Sequence, residues 1–518
     1  MNAPFHRLSQ LGLLTLASMC FQCGSSQPHP STSAGAGGNE AGGGNVGGSD
    51  DGNGGSSSVN GGSPPVSSGG AVTAIPGGPG CGLGDNAAFC DSFDAPSSTK
   101  GRAGELDPLK WSAARQQPQA PTGGNIAIGI TAATLPACRG DLPAKVFPDQ
   151  DTVICDPNGS IRSNHLLMAV AAQNYGQNTY RIRQPFDFAG RTGKIVFDAE
   201  ARTVQLLGWV SLEVSEDPAP GPSFALGPEH TANDEGSVVP RNAFELQFMN
   251  NCAGQGDAVG LRSLLTVKNY VQTEQSPPQP VCIKTKQGNL NHFEVAVSQN
   301  RIEIFGTGFS EDGSKFEEPV LLYAADVSLP FSRGYVSVST HNHATLKYSD
   351  NPKLDAWIAR WDNVAFDGPV ISNYREYEIP DSLVQSKQPF GTEQVKTIAY
   401  LVADSAGAPK DTLHFKGVDP SGMSKARLAL SGWYHSTDKN PTYALKYRFN
   451  GGTWRDRPFN SDEVAVLTDS HCQGALTHMI DVPITDLVKG DNTIEFLSVN
   501  IPQDVPPAVS NIDLILSE

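Results

Sequence analysis

Strict alternation of apolar and polar residues constrains this chain more than any other feature. GKIVFDAEA, GWVSLEVSED, NAFELQFMN, NHFEVAVSQNRIEIFG, GYVSVSTHNH and ARWDNVAFDG all keep a period of two, or nearly so. Successive side chains of an extended strand point to opposite faces, so each segment reads as a strand with one buried face. Clusters at Ala189-Gly190-Arg191, Gln299-Asn300 and Glu311-Asp312-Gly313 supply turns between them. No long stretch repeats at helical spacing. The expected fold class is therefore all-β, with antiparallel sheets stacked as a sandwich or jelly roll.

The beginning of the chain follows a different rule. Met1–Gln10 carries His6 and Arg7, and Leu11–Met19 is an apolar run too short to span a bilayer. The junction LASMCFQCGSS resembles a bacterial lipoprotein signal, which makes Cys20 and Cys23 the lipidation candidates. Met19 and Gln22 stand where that pattern has Gly, Ala or Ser. Residues 24–80 are dominated by Gly, Ser, Asn, Pro and Asp, a composition that cannot bury enough apolar surface to offset its ordering entropy. It is expected to be a disordered tether. The chain is thus expected to be exported, as an outer-membrane or cell-surface lipoprotein or as a secreted protein. Its only membrane contact would be a lipid anchor. With 37 Lys and Arg against 54 Asp and Glu, the net charge is −17, which repels nucleic acid.

Seven further cysteines lie beyond the signal. Neighbouring pairs suggest Cys81 with Cys90, Cys138 with Cys155 and Cys252 with Cys282, and other connectivities stay open. Cys472 is left over. The expected domains are 1–23 (signal), 24–80 (linker), 81–370 (jelly roll) and 371–518 (a smaller β-sandwich). The seam follows Phe366-Asp367-Gly368-Pro369. Beyond it, LALSGWYH, TYALKYRFNGGTW, MIDVPITDLV, NTIEFLSV and NIDLILS read as strands, with turns at Asn450-Gly451-Gly452 and Gly490-Asp491-Asn492.

Alternation also sorts residues by face. Val210, Leu212 and Val214 oppose Trp209, Ser211, Glu213 and Ser215. Phe244, Leu246 and Phe248 oppose Glu245 and Gln247. Phe293, Val295 and Val297 oppose His292 and Glu294. Val336 and Val338 oppose Ser337, Ser339, His341 and His343. Trp209, Glu213, Glu245, Gln247, His292, Glu294, His341 and His343 are the ligand-binding candidates if these strands share a sheet. An aromatic plate beside carboxylates, amides and imidazoles suits a sugar, whose apolar face stacks while its hydroxyls are hydrogen bonded. A solvated sheet face shows the same alternation.

The opening FCDSFD with LDPLKW, the recurring strands and the closing GYVSVSTHNH and ARWDNVAFDGP resemble the concanavalin A-like lectin/glucanase superfamily, over roughly residues 85–370. The resemblance implies a two-sheet jelly roll whose concave face binds glycans. Members that hydrolyse β-glucans carry E-x-D-x-x-E, with the outer glutamates as nucleophile and acid/base. Here Glu245-Leu246-Gln247-Phe248-Met249-Asn250 keeps the first glutamate, with Gln247 for the aspartate and Asn250 for the second glutamate. Glu245, Glu213, His341 and His343 are the catalytic candidates, and Glu216 and Glu294 are further carboxylates. His341 and His343 share a face, as metal ligands or a lyase acid/base pair do. A structural calcium is also implied, with Asp362 and Asp91 as metal candidates and Asp94 beside them. The second domain resembles β-sandwich modules appended to carbohydrate-active proteins, with Trp433, Tyr434, Trp454 and Arg455 as stacking candidates. The expected function is an exported, lectin-like protein that binds a poly- or oligosaccharide. A glycoside hydrolase or polysaccharide lyase is the alternative, and a structural surface protein is the third reading.

Overall fold

The computed structural model describes residues 79–94, 97, 99, 102–103, 106–116, 134–135, 145–146, 152–155, 165–171, 176–200, 208–218, 240–250, 252–255, 257–286, 290–342, 356–379, 382–384, 394–396, 398–434, 442–469, 474–503 and 507–518. Cys20, Cys23, Cys138, His343 and Cys472 lie outside them.

Two large sheets form the first sandwich. The first sheet runs Val320–Asp326, Arg301–Thr307, Asn291–Val297, Gly193–Glu200, Ala356–Asp367, His165–Ala171, Thr152–Cys155, with Ala87–Asp91 also paired to Ala356–Asp367. The second runs Val271–Gln275, Ala258–Lys268, Asn242–Asn250, Gly208–Ser215, Arg333–Asn342, Gly176–Ile182, Trp111–Gln116. Cys282–Lys284 pairs with Ala258–Lys268 on that sheet. Neighbours in sequence are often not neighbours in space, as a jelly roll requires. The alternation explains the packing. Val210, Leu212, Val214, Phe244, Leu246, Phe248, Val336 and Val338 meet Ile195, Phe197, Phe293, Val295 and Trp361 in one buried core. This is the two-sheet form that the resemblance implies.

A second sandwich follows. One of its sheets runs Tyr374–Glu378, Ala508–Ser517, Lys425–Tyr434, Gly474–Val482, and the other Thr412–Val418, Gly490–Val499, Ala444–Phe449, Arg455–Pro458. Between them lie Leu428, Leu430, Leu445, Phe449, Ile494, Phe496 and Leu514. Asn450 and Gly451 both have positive φ (54° and 65°) and turn the hairpin, which a left-handed pair such as Asn-Gly does at low cost. Gly490 opens a strand instead of sitting inside a turn.

The expectation of strands without helices needs one correction. Ser461–Asp469 is an α-helix. Asn460 Oδ1 accepts from the Glu463 N–H at 2.9 Å, and Glu463 Oε2 accepts from the Asn460 N–H at 2.8 Å. This reciprocal cap satisfies two donors that a helix start would otherwise leave open, and it stabilises a helix too short to show a clear period.

Of the expected disulfides, Cys81–Cys90 and Cys252–Cys282 are bonded. Cys155 ends the strand Thr152–Cys155, and its expected partner Cys138 is outside the described residues.

Candidate functional site

The outward residues of the second sheet form two polar rows. In one, Glu213 stands opposite Glu245 on one side and Ser337 on the other, and Ser337 is opposite Arg181. In the next, Ser211 stands opposite Gln247 and Ser339, Gln247 opposite Ser263, and Ser339 opposite Thr179. The strands that bury Val210, Leu212, Phe244 and Leu246 inward must turn these alternate residues outward.

The rows are hydrogen bonded within themselves. Ser263 Oγ donates to Gln247 Oε1 at 3.0 Å, and Gln247 Nε2 donates to Glu245 Oε1 at 3.4 Å. Ser211 also bonds the Glu245 side chain. Glu213 and Glu245 are each only 1 % exposed, and Gln247, Ser211, Ser263, Ser337, Ser339 and Thr179 are buried too. Burial pushes the Glu245 carboxyl up to about 8, against the opposing pull of Ser211, Gln247 and Arg262. Glu245 therefore keeps its proton at neutral pH.

These residues are therefore buried, unlike those of the solvated sheet face that alternation alone would also allow. Part of the cover is the second sandwich. Arg181 meets Glu376 at 2.5 Å and Arg183 meets Glu378 at 3.0 Å. Arg102 donates to both oxygens of Asp513, at 2.7 and 2.8 Å. Tyr335 packs on Tyr374 with ring centroids 6.0 Å apart. Ala243, Val267 and Tyr270 join the core of the second sandwich, and Tyr270 donates to the Thr477 carbonyl at 3.1 Å. Sequence reasoning missed this joint. Its signal was charge at alternate strand positions, in RIRQPF, YREYE and NIDLIL.

Trp209 is the backbone register partner of His341 on the same sheet, two residues along from Ser211 and Ser339. Their side chains, like all of His343, fall outside the described set.

His292 and Glu294 do not join this face. Their strand, Asn291–Val297, belongs to the first sheet, so they lie on the far side of the sandwich. There His292 Nδ1 meets Asp198 Oδ1 at 2.7 Å, and Lys194 Nζ meets Glu294 Oε2 at 2.7 Å. Asn363 Nδ2 donates to Asp198 Oδ2 at 2.9 Å. Burial opposes charge on His292, but Asp198 and Glu294 outweigh it and raise the imidazole to about 9. Glu216, also a candidate carboxylate, accepts from Asn242.

The calcium expectation meets a poor fit. Asp91 Oδ1 accepts from the Phe93 N–H at 3.1 Å, Asp91 Oδ2 accepts from Trp111 Nε1 at 2.8 Å, and Lys110 Nζ is 3.7 Å away. Each Asp91 oxygen already accepts a hydrogen bond, and the neighbouring Lys110 ammonium competes with a cation for Oδ2. Asp94 accepts from Ser92 at 2.6 Å, and Asp362 accepts from the Asn363 N–H at 2.8 Å. Among the described residues no group of three or more His, Cys, Asp or Glu is arranged to hold a metal.

In the second sandwich the stacking candidates separate. Tyr434 is a core residue, and its hydroxyl lies 2.9 Å from His478 Nε2. His478 Nδ1 lies 2.9 Å from Glu463 Oε1, and Arg457 pairs with the same carboxylate. Burial lowers the His478 pKa, so a neutral ring donates to Glu463 and accepts from Tyr434. Trp454 carries Arg448 over its ring at 4.4 Å, and Arg455 binds Asp486. The Trp433 side chain is outside the described set.

No protein family matches the sequence, and no curated protein is similar to it. Among solved structures, a glycoside hydrolase family 16 endo-glucanase from Bacteroides ovatus is 10% identical, covers 54% of this chain and 99% of its own, and gives a TM-score of 0.32. A prokaryotic beta-1,3-1,4-glucanase (lichenase) derived from a mouse hindgut metagenome is 14% identical, covering 54% and 98%, at 0.29. The exoplasmic/lumenal domain of VIP36, Ca2+/Man3GlcNAc-bound, is 10% identical, covering 43% and 83%, at 0.25. The strand order and the buried cores, not these likenesses, define the fold.

Proposed function

We propose that the chain is an exported surface protein that binds a poly- or oligosaccharide on the polar rows of the second sheet, without cleaving it. One observation carries this reading: Ser263, Gln247, Glu245 and Ser211 form a continuous hydrogen-bonding set directly beside Glu213. Planar amide and carboxyl groups at strand spacing suit paired sugar hydroxyls. Asn250, where a catalytic strand would hold its second glutamate, has no proton to give to a leaving oxygen. Because Glu213 and Glu245 are buried, a glycan reaches them only through local opening of the face, with the buried ion pairs between the sandwiches intact. Association should be slow compared with an open groove.

A specific observation favours the hydrolase as the second reading. Directly opposed strand residues stand about 5 Å apart at Cβ. Glu213 and Glu245 are such a pair, and side chains from neighbouring positions can reach the separation of roughly 5 Å between carboxyl groups that retaining enzymes use. Glu245 also keeps the proton that a general acid needs.

The experiment uses the full mature chain on a glycan array, followed by reducing-sugar assays on every hit. Binding that falls about tenfold in Gln247→Ala and Ser263→Ala, with no sugar released, supports the lectin reading. Sugar release that stops in Glu245→Gln replaces it with the hydrolase. No binding by a chain that melts normally leaves only the structural role. Export with a lipid anchor, read from LASMCFQCGSS and the tether, is tested separately. A fatty-acid probe should label the chain, and Cys20→Ser with Cys23→Ser should abolish the label.

A further inference from the structure

The second sandwich meets the outward face of the second sheet at one end of its strands, and it does so across the whole width. Tyr270, between Ala258–Lys268 and Val271–Gln275, donates to the Thr477 carbonyl at 3.1 Å. Val267 and Ala243 are register partners, and both enter the core of the second sandwich. Asp217, two residues past Gly208–Ser215, accepts from Arg427 at 3.3 Å. Tyr335 packs on Tyr374, and Arg183, just past Gly176–Ile182, donates to the Glu376 carbonyl at 2.8 Å. Ser112, on Trp111–Gln116, donates to Asp513 at 3.4 Å.

The polar rows begin directly beside this line of contacts. Glu213, Glu245 and Ser337 lie two residues along their strands from Ser215, Ala243 and Tyr335, and Ser211, Gln247 and Ser339 lie two further. Successive outward rows are roughly 7 Å apart, so a ligand extended along the strands runs into the second sandwich one row beyond Glu213. A ligand laid across the strands meets no such barrier. From Ala258–Lys268 to Gly176–Ile182 it crosses five strands. Four gaps between strands give it about 19 Å.

Arg181 joins the joint to the rows. It stands opposite Ser337, whose other partner is Glu213. Glu376 holds its Nη2 at 2.5 Å, and its guanidinium lies 5.4 Å over the Tyr335 ring. Its Nη1 is buried and, among the described residues, has no hydrogen-bond acceptor. A buried N–H left in that state is unfavourable, and a sugar hydroxyl supplies the acceptor. The Arg181 and Glu376 side chains are only 3% and 0% exposed, so this joint holds while the face opens locally.

We infer that the second sandwich is the specificity wall of the sugar site, with Arg181 as its contact to the ligand, an unbranched glycan chain lying across the strands. The inference rests on the polar rows binding glycan. In a chain whose successive units alternate in orientation, branches project to both flanks. Those on one flank would need the space that Tyr335, Tyr374 and Glu376 fill.

The test is calorimetric titration of the full mature chain with two matched pairs. One is mannohexaose against a galactosyl-branched oligomer of the same backbone, and the other is cellohexaose against its xylosyl-branched counterpart. The expected result is that a linear member binds and that branching weakens it about tenfold or more. Arg181→Lys keeps a cation beside Glu376 but loses the planar fork, and it should weaken the linear hexamer about tenfold. Arg375→Lys, on the same strand as Glu376 but paired with exposed Asp419, should leave the affinity unchanged. Melting curves of both variants separate a lost contact from a lost fold, and the wild-type comparison of linear with branched chains needs neither variant. Equal affinity for linear and branched members overturns the wall and leaves the glycan reading in place. So does an affinity untouched by Arg181→Lys. Binding to neither pair also overturns the wall, and the hits on the glycan array then decide whether the glycan reading survives.

Discussion

Glu213 and Glu245 face each other directly across two antiparallel strands, and both are almost wholly withdrawn from water. Two ionised carboxylates in that position would repel, and like charges directly opposite weaken a sheet. Burial resolves the conflict by keeping the proton on Glu245, whose pKa rises from 4.5 to about 8. The sign follows. Below about pH 4.5 the group is protonated in both folded and unfolded chains and costs nothing. Between 4.5 and 8 the unfolded chain ionises more readily, so stability falls with rising pH. Glu245→Gln should therefore melt close to the wild type at pH 4. At pH 8 it should be more stable, by on the order of 2–4 kcal/mol. Thermal melts across that range check it, and a pH-independent difference would show that Glu245 is already ionised in the fold.

His292 gives the opposite dependence. Its folded pKa, about 9, lies above the ordinary 6.5, so its stabilisation is fully present below 6.5 and is lost as pH rises through 9. His292→Gln should cost on the order of 2–3 kcal/mol at pH 6 and little at pH 10. Denaturant unfolding at the two pH values reads the difference. An equal cost at both would assign His292 a packing role only.

At the joint between the sandwiches, Asp513 is buried against Arg102, and Arg181 lies 3.6 Å from it. Removing one partner of a buried ion pair leaves the other charge uncompensated, which typically costs about 3–5 kcal/mol. Asp513→Asn should lower stability by about that amount in urea unfolding. A loss below about 1 kcal/mol would mean that water reaches the arginines.

The Cys252–Cys282 bond closes a loop of sequence separation 30. Restricting the unfolded chain over such a loop is worth about 3 kcal/mol. Cys252→Ser with Cys282→Ser should lower the melting temperature accordingly, as differential scanning calorimetry would record.

Alternation placed Val210, Leu212, Phe244, Phe293, Val336 and Val338 in the core correctly, because burying one face of a strand leaves little other choice. It also set Glu213, Glu245 and Gln247 on one surface. It failed for His292 and Glu294, because a period of two reports which way a side chain points, not which sheet the strand joins. Sheet membership is fixed by pairing with Gly193–Glu200, about a hundred residues earlier. Closure of the polar face was equally invisible. Arg181 and Glu376 each read as solvent-facing charges in their own strands, and only contact across 195 residues makes them partners. The helix at Ser461 hid behind its length, although Asn460 and Glu463 carried the capping signal.

Arg102 and Asp513 are 411 positions apart in sequence yet share two hydrogen bonds. A segment between the first two described strands and the last strand are therefore fastened side by side. A protease cut at exposed Val370, between the sandwiches, would sever the peptide link without releasing either half. Tension entering from the N-terminal side would pass straight to the last strand through two buried arginines, Arg102 and Arg181. A fragment ending at Pro369 would carry those arginines into water with no carboxylates to meet them. In mechanical terms the two sandwiches form one block, and neither is a detachable module.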